Sequence, residues 1–255
     1  MVNTYKIGLL TLATSNKRDN WESIKDSYLF NMTLKSFLLT LDKEHNYIFY
    51  VGVDKDDRIF DNKEEQEKIL RFNKVFTNIE FKFVTIDNIE KGYVTKMWNV
   101  LFKDAYEVGC DYFYQCGDDM EFKTSGWIND SINVLLKNNN IGLAGPINNN
   151  NRILTQAFVS RKHMEIFGSF FPEEIKNWCC DDWYNMVYYP MYLYPLHNHL
   201  SINNGGEPRY DIHNNKNFTG TNNITFAKNV QKLREETQKI ANIDKLKIEK
   251  YLNKS

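Results

Sequence analysis

The sequence lacks several features that would each indicate a particular class of protein. No stretch approaches the ~20 consecutive apolar residues that a membrane-spanning helix requires. The charges nearly balance, with 32 Lys and Arg against 33 Asp and Glu, so no overall positive field is available to attract nucleic acid. We therefore expect no membrane span and no nucleic-acid partner, and any anionic ligand must be held by local groups.

Cysteine is scarce, and the segment that follows the first apolar run contains no glycine. The four cysteines match no zinc-binding spacing, and a bridge between the adjacent Cys179 and Cys180 would be strained. We expect reduced thiols and a cytoplasmic location, since the first apolar run is too short for the core of a signal peptide. The end of that run, LATSNKRD, contains no glycine, which argues against a glycine-rich phosphate-binding loop there.

Short apolar runs alternate with helical patterns through the first half of the chain. Strands are predicted at 5–12, 47–54, 81–86, 111–115 and 141–145. Amphipathic helices are predicted at 26–41, 63–72, 94–108 and 125–136. We expect Gly109 to end the third helix and Ser125 to cap the fourth. The alternation predicts an α/β fold with a mostly parallel sheet flanked by helices, and a helix follows at the C-terminus.

Three polar segments follow strands of this predicted sheet. They are Thr14 to Asn16, Asp54 to Asp57, and Asp118 to Glu121. Right-handed crossovers bring the carboxyl ends of parallel strands to one edge, where open α/β sheets bind ligands. The segments are therefore expected to form one site.

The acidic segment, within CGDDMEF at 116–122, is the most informative of the three. Carboxylates this close repel one another unless a cation, a ligand or water compensates. Asp119 and Glu121 would share a face of an extended segment, whereas Asp118 would point the other way. Hard cations such as Mg²⁺ and Mn²⁺ prefer such oxygen ligands. A solvated acidic turn is the alternative.

The stretch KMWNVLFKDAYEVGCDYFYQCGDDMEF, residues 96–122, resembles nucleotide-sugar glycosyltransferases of the Rossmann-like GT-A fold, close to glycosyltransferase family 2. Those enzymes carry a short acidic motif, commonly Asp-X-Asp or Asp-Asp, after the fourth strand. The resemblance covers roughly residues 5–200, in element order more than in long motifs. It implies a GT-A-like domain over 1–225, with a nucleotide-binding half at 1–122 and an acceptor half at 123–225. A C-terminal helix follows at 226–255.

The resemblance also implies roles for residues of the first half. Asp119 and Glu121 would hold Mn²⁺ or Mg²⁺ against the donor diphosphate, with Asp118 near the ribose; a Glu in the last place departs from the commoner Asp. Thr14 and Ser15 would contact the nucleotide. Asp54 would meet the base, with Asp56 as a substitute, and Lys96 would pair with a phosphate. An exposed helix lysine is the alternative for Lys96.

In the second half, the resemblance implies a catalytic base in NWCCDDWYNMVYY, residues 177–189. Asp181 or Asp182 would take the proton from the acceptor hydroxyl, although both also suit the start of a helix. His199 is the preferred further metal ligand, while an exposed histidine is the alternative; His197 and His213 lie in or beside the same irregular stretch. Arg209, after the flexible pair Gly205-Gly206, would fold over the diphosphate.

Together these expectations predict a metal-dependent glycosyltransferase. It would transfer a sugar from a nucleoside diphosphate sugar, with a UDP-sugar as the leading candidate, to a hydroxyl of a glycan, protein or small molecule. Inversion is expected because no covalent nucleophile is evident. Two alternatives stay open: a sugar nucleotidyltransferase and a non-catalytic carbohydrate-binding protein on a decayed transferase fold. The abundance of Asn, Lys and Ile suggests an AT-rich genome, such as that of a parasite or a large DNA virus acting in its host's cytoplasm.

Overall fold

A computed structural model describes residues 3–150, 152–206, 208–210 and 223–253. Eight strands form one curled sheet in the order β3-β2-β1-β4-β7-β6-β8-β5. The strands are β1 Lys6–Ala13, β2 Asn46–Asp54, β3 Ile79–Ile86, β4 Tyr112–Gly117, β5 Met120–Phe122, β6 Leu143–Ile147, β7 Ala157–Ser160 and β8 Leu193–Asn203. The expected α/β architecture is confirmed.

The first four strands are parallel neighbours, as the apolar runs predicted. β1 pairs with β2 on one side and with β4 on the other, and β3 extends the sheet beyond β2. Both faces of β1 and β2 are covered, so nearly every one of their residues is buried. Their carboxyl ends, at Ala13, Asp54 and Gly117, lie at one edge of the sheet.

The second half of the sheet is mixed. β7 pairs antiparallel with both β4 and β6, β6 pairs parallel with β8, and β5 pairs antiparallel with β8. The strand predicted at 141–145 begins later, at Leu143, and β7 lies in a region where the sequence showed no clean periodicity. Short strands of this kind are too brief for their alternation to be distinct in the sequence.

The α-helices are α1 Lys35–Thr40, α2 Lys63–Leu70, α3 Val94–Glu107, α4 Trp127–Lys137, α5 Lys162–Phe167, α6 Cys180–Tyr188 and α7 Asn223–Leu252. The segment predicted as one helix at 26–41 is a π-helical turn, Leu29–Leu34, continued by α1. Gly109 adopts the expected left-handed conformation after α3, with φ +85°. The expected cap at Ser125 is wrong, because left-handed Gly126 precedes α4 and no side chain caps it.

Two hydrophobic clusters cover the two faces of the sheet, and α7 belongs to the second of them. Ala241 and Ile248 of α7 are buried there with Trp183 of α6. The Trp183 indole Nε1–H donates to Asp244 Oδ2 at 2.9 Å, which joins the two helices. The C-terminal helix therefore docks on its own domain. None of the described helices has both the length and the apolar character needed to cross a bilayer.

Candidate active site

Two adjoining cavities occupy the edge of the sheet where the parallel strands end. The larger cleft, about 420 Å³, lies between the ends of β1 and β4, the start of α6 and the segment after β8. The smaller one, about 380 Å³, lies between the segments that follow β1 and β2. Thr14 and Tyr210 line both cavities. The three polar segments identified in the sequence are thus brought together.

Asp57 organises the smaller cavity. Its carboxylate accepts hydrogen bonds from Thr14 Oγ1 at 2.9 Å and from the Ser15 amide and hydroxyl at 2.8 and 2.9 Å. The backbone amides of Ile59 and Phe60 donate to Oδ1, the oxygen that also accepts from the Ser15 hydroxyl. Burial alone would raise the pKa of Asp57, but these hydrogen bonds outweigh it and hold the pKa below its ordinary value. Thr14 and Ser15 are therefore fixed at the cavity wall.

The residues predicted to meet the base lie beside this network. Asp54 is buried and accepts a hydrogen bond from the Tyr210 hydroxyl, and desolvation raises its pKa. Asp56 is exposed and left-handed, with φ +64°, and its amide donates to Asp61 Oδ2 at 2.9 Å. Both line the smaller cavity, together with Thr14 and Ser15.

Replacing Asp57 by asparagine is expected to lower the free energy of unfolding by about 2 to 3 kcal/mol, because an amide would place N–H groups against several donors. The pKa of Asp57 is depressed, so its charge stabilises the fold above the carboxyl's unfolded pKa. That contribution disappears as the pH falls through the folded pKa. Urea unfolding at pH 7 and pH 3 measures both effects. Equal stability of variant and wild type at pH 7 would contradict the role.

In the acidic segment, Asp118 points inward and is paired. Its side chain is fully buried and forms a two-pronged ion pair with the guanidinium of Arg209. These are the residues that the sequence assigned to the ribose and to the diphosphate, and here they bind each other across 91 positions of the chain. Asp118 therefore anchors the segment after β8 to the end of β4.

Asp119 is the carboxylate of this segment that faces the larger cleft. Its side chain is 15% exposed, and its Oδ2 lies 3.6 Å from Arg209 Nη2. Glycines flank it closely: a methyl group on Gly205 would lie 1.9 Å from Asp119 Oδ2, and one on Gly117 would lie 2.5 Å from Oδ1. Burial, together with the neighbouring charge of Asp118, raises its pKa to about 6. A cation at Asp119 would relieve this unfavourable charge.

Glu121 lies on β5, and its side chain contacts residues other than Asp119. Its carboxylate pairs with Lys123 Nζ at 2.5 Å and accepts a hydrogen bond from Asn204 Nδ2 at 3.3 Å. The neighbours of Glu121 on this short strand, Met120 and Phe122, face the core. Glu121 is part of the outer surface of the β5–β8 ribbon.

His199 lies further along the same ribbon. Its Nε2 is 2.8 Å from Asp130 Oδ2, and its Nδ1 is 3.2 Å from Thr124 Oγ1. The backbone amide of Asn204 donates to the Asp119 carbonyl. His199 lies five positions before Asn204, which corresponds to about 16 Å of strand. Within the described part of the chain, no group of three His, Cys, Asp or Glu side chains is arranged to hold a metal ion. The structure thus does not bring together the three predicted ligands.

The two candidate bases have different surroundings. Asp181 lines the larger cleft, where burial and then the charge of Asp182 raise its pKa to about 6. Asp182 is buried outside the lining, and its Oδ1 lies 3.0 Å from both Arg152 Nη1 and Arg234 Nε. Of the two, Asp181 is therefore the carboxylate that faces the cleft, and Asp182 ties α6 to α7.

The remaining predicted residues lie outside the cleft or outside the described residues. Lys96 on α3 pairs with Glu173 at 3.2 Å and lies over the Tyr93 ring. His197 is exposed, and His213 lies outside the described residues. All four cysteines are free thiols, as expected.

Sequence reasoning missed two contributions to the site. In the sequence Asp57 is one of three aspartates in the segment that follows the second strand, and no local pattern distinguishes it from Asp54 and Asp56. Arg234, which holds Asp182, lies on a helix whose partner the sequence did not specify. Both contributions depend on contacts between distant parts of the chain.

Comparison with solved structures identifies the fold. The chain is similar to S. aureus TarS 1-349 in complex with UDP-GlcNAc, with a TM-score of 0.55 and 13% identity over 80% of this chain and 60% of that one. The complex of the same protein with UDP gives 0.53 and 13% over 77% and 60%. A longer S. aureus TarS structure gives 0.50 and 12% over 76% and 36%. The fold is GT-A-like, as the resemblance implied.

This chain spans about 60% of the TarS 1-349 structures that it matches. No protein-family model and no curated protein matches its sequence.

Proposed function

We propose that this protein is a glycosyltransferase that moves a sugar from a nucleoside diphosphate sugar, with UDP as the nucleotide, to a hydroxyl group of an acceptor. One observation carries the proposal. A single cleft at the ligand-binding edge of a GT-A-like sheet contains two separate carboxylates, Asp119 and Asp181, whose pKa values are both raised to about 6. The similarity to TarS, which was solved with UDP and UDP-GlcNAc, supports the choice of nucleotide.

Asp181 would act as the general base. Its carboxylate would accept the acceptor's hydroxyl proton as that oxygen forms a bond to the anomeric carbon. The bond to the diphosphate oxygen breaks, and inversion follows from attack on the opposite face. A carboxyl pKa near 6 suits this role, because the group is mostly ionised at pH 7 yet more basic than an ordinary aspartate.

The nucleotide would lie in the smaller cavity, between Thr14, Ser15 and Asp54. Arg209, which already faces Asp118 and Asp119 of the acidic segment, is suited to neutralise the diphosphate. A divalent cation fits this arrangement through Asp119 alone, since Mg²⁺ commonly uses one or two carboxylates and completes its shell with substrate phosphates and water. When bound, Mn²⁺ or Mg²⁺ would supply charge stabilisation for the departing diphosphate.

A donor screen tests this function. UDP-, GDP- and CDP-sugars are incubated with the protein and Mn²⁺, with and without candidate acceptors, and the release of nucleoside diphosphate is measured. Release of UDP is the expected result. Conversion of a nucleoside triphosphate and a sugar phosphate would instead indicate a nucleotidyltransferase, and an absence of turnover with every donor would favour a decayed fold.

The rate of transfer is expected to fall as the pH decreases through about 6, because protonated Asp181 cannot accept a proton and protonated Asp119 binds a cation poorly. Stability should change in the opposite direction. Both folded pKa values exceed that of an unfolded carboxyl, so the folded state becomes more stable relative to the unfolded state as these groups are protonated. Rate profiles and thermal unfolding from pH 5 to 8 test this. A flat rate profile would contradict it.

A further inference from the structure

The candidate base Asp181 is followed directly by a second, buried carboxylate. The side chain of Asp182 is 6% exposed, and its Oδ1 lies 3.0 Å from both Arg152 Nη1 and Arg234 Nε. A carboxylate removed from water in this way requires compensation, which the two guanidinium groups provide. Burial and then the charge of Asp182 raise the pKa of Asp181. Groups that compensate for Asp182 therefore also act on the base.

The two arginines reach Asp182 from different parts of the fold. Arg152 lies between β6 and β7, and Arg234 lies on α7. Their side chains are 49% and 43% exposed, so either can be replaced without opening the core. The charge of Arg152 lowers the pKa of Asp181, against the larger effects of burial and of Asp182. The same arginine thus offsets the charge that opposes ionisation of the base.

The orientation of the base is fixed by other contacts. Asp181 Oδ1 accepts a hydrogen bond from the Asp182 backbone amide at 3.0 Å, and the Asp181 carbonyl accepts one from Asn185 Nδ2 at 2.8 Å. Asn185 is also bonded to the backbone of Leu154: Nδ2 donates to the carbonyl at 2.6 Å, and Oδ1 accepts from the amide at 3.1 Å. Replacing one arginine should therefore change the charge near Asp181 but not the direction of its carboxylate.

The other titratable groups around Asp181 are accounted for. Three of them belong to the start and first turns of α6: Cys179, Cys180 and Tyr184. Burial raises the pKa of Cys179 to about 12 and places the pKa values of the other two well above their ordinary values. All three therefore stay neutral between pH 5 and 8. Asp119 and Arg209 line the same cleft and are unchanged in the comparisons below.

We propose that Arg152 and Arg234 are positioning residues for the base: by compensating for Asp182 they keep Asp181 ionised, and so able to accept a proton, at neutral pH. The inference rests on the proposed function. It also gives the C-terminal helix a part in the reaction, since Arg234 lies on α7. The larger effect is expected from Arg152, whose charge acts on Asp181 itself.

Carboxyl ¹³C NMR titration of the donor-free protein measures the ionisation of Asp181, whose signal is identified by its loss in Asp181→Asn. Arg152→Gln should raise the titration midpoint by about 0.5 to 1 pH unit, and Arg234→Gln should raise it by less. Arg152→Lys keeps the positive charge and should stay within about 0.2 unit of the wild type. Asp182→Asn should lower the midpoint, because it removes the like charge.

The rate of transfer at saturating Mn²⁺ is the second readout. Arg152→Gln should lower it about two- to fivefold at pH 6 but by less than about 1.2-fold at pH 8, where Asp181 is ionised in both proteins. A purely structural role for Arg152 would instead lower the rate at both pH values, in the lysine variant as much as in the glutamine variant. That result would overturn the inference.

The outcomes separate the inference from the proposed function. In an enzyme that transfers sugar, a midpoint that neither Arg152→Gln nor Arg234→Gln raises would overturn the inference alone. If the wild type transfers sugar from no donor, the proposed function is wrong, and the assignment of these arginines to a base is overturned with it even where the midpoint shifts.

Discussion

Replacing Asp181 by asparagine is expected to lower the turnover number by about 10² to 10⁴, the usual contribution of a general base. The amide has nearly the same volume and can still accept a hydrogen bond from the Asp182 backbone amide, at 3.0 Å in the native protein. The start of α6 should therefore keep its conformation. UDP affinity should change less than twofold, because Asp181 lines the larger cleft and not the smaller cavity proposed to bind the nucleotide. Steady-state kinetics and calorimetry on the same preparation separate the two quantities.

The neighbouring substitution Asp182→Asn is the matched control. Asp182 is shielded from the cleft by its contacts with Arg152 and Arg234, so its loss should weaken the attachment of α7 to α6. We expect a decrease of about 1 to 2 kcal/mol in the free energy of unfolding, since both arginines are partly exposed. The turnover number should fall less than 10-fold. If Asp182→Asn removes turnover and Asp181→Asn does not, the assignment of the base is wrong.

The second large effect is expected from Asp119. Asp119→Asn should weaken the metal-supported binding of UDP by about 100-fold or more, because it removes the charged oxygen that faces the cleft. The substitution should also stabilise the apo protein slightly, since a carboxylate whose pKa is raised to about 6 carries an unfavourable charge at pH 7. Calorimetric titration of UDP at several Mn²⁺ concentrations gives the first quantity, and thermal unfolding without metal gives the second.

Glu121→Gln and His199→Gln serve as controls for this experiment. Glu121 is paired with Lys123, and His199 with Asp130, so neither substitution should change Mn²⁺-dependent UDP binding by more than about threefold. An effect of either variant equal to that of Asp119→Asn would mean that the ribbon of β5 and β8 rearranges when the cation binds. Binding of UDP that is independent of Mn²⁺ in the wild type would contradict the role of the cation.

The first half of the fold, residues 1–122, could be predicted from the sequence because its signals are local. The runs that form β1 and β2 are eight and nine residues long, apolar and buried on both faces, so their pattern does not depend on distant contacts. β5 and β7 have only three and four residues, and their pairing depends on partners elsewhere in the chain. The helix predicted at 26–41 contains a π-helical turn that no periodicity indicates.

The same distinction applies to the site. Parallel strands fix where Thr14, Asp54 and Asp119 lie, so the location of the cleft could be inferred from the order of the elements. Which of two adjacent carboxylates faces the cleft could not be inferred in this way. Asp181 and Asp182 are neighbours on α6, and only the arginines at 152 and 234 distinguish them.

Asp118 and Arg209 show the limit of the sequence most directly. Each was assigned a separate contact with the donor, yet they form an ion pair between residues 91 positions apart. The local sequence does not indicate whether such a charged side chain binds a ligand or another residue of the protein.

The crystal structure of a complex with UDP-glucose and Mn²⁺ would test the central claim most directly. We predict uracil and ribose between Thr14 and Asp54, the diphosphate beside Asp119 and Arg209, and the anomeric carbon facing Asp181. Electron density for the nucleotide sugar at another surface, with this cleft empty, would contradict the account.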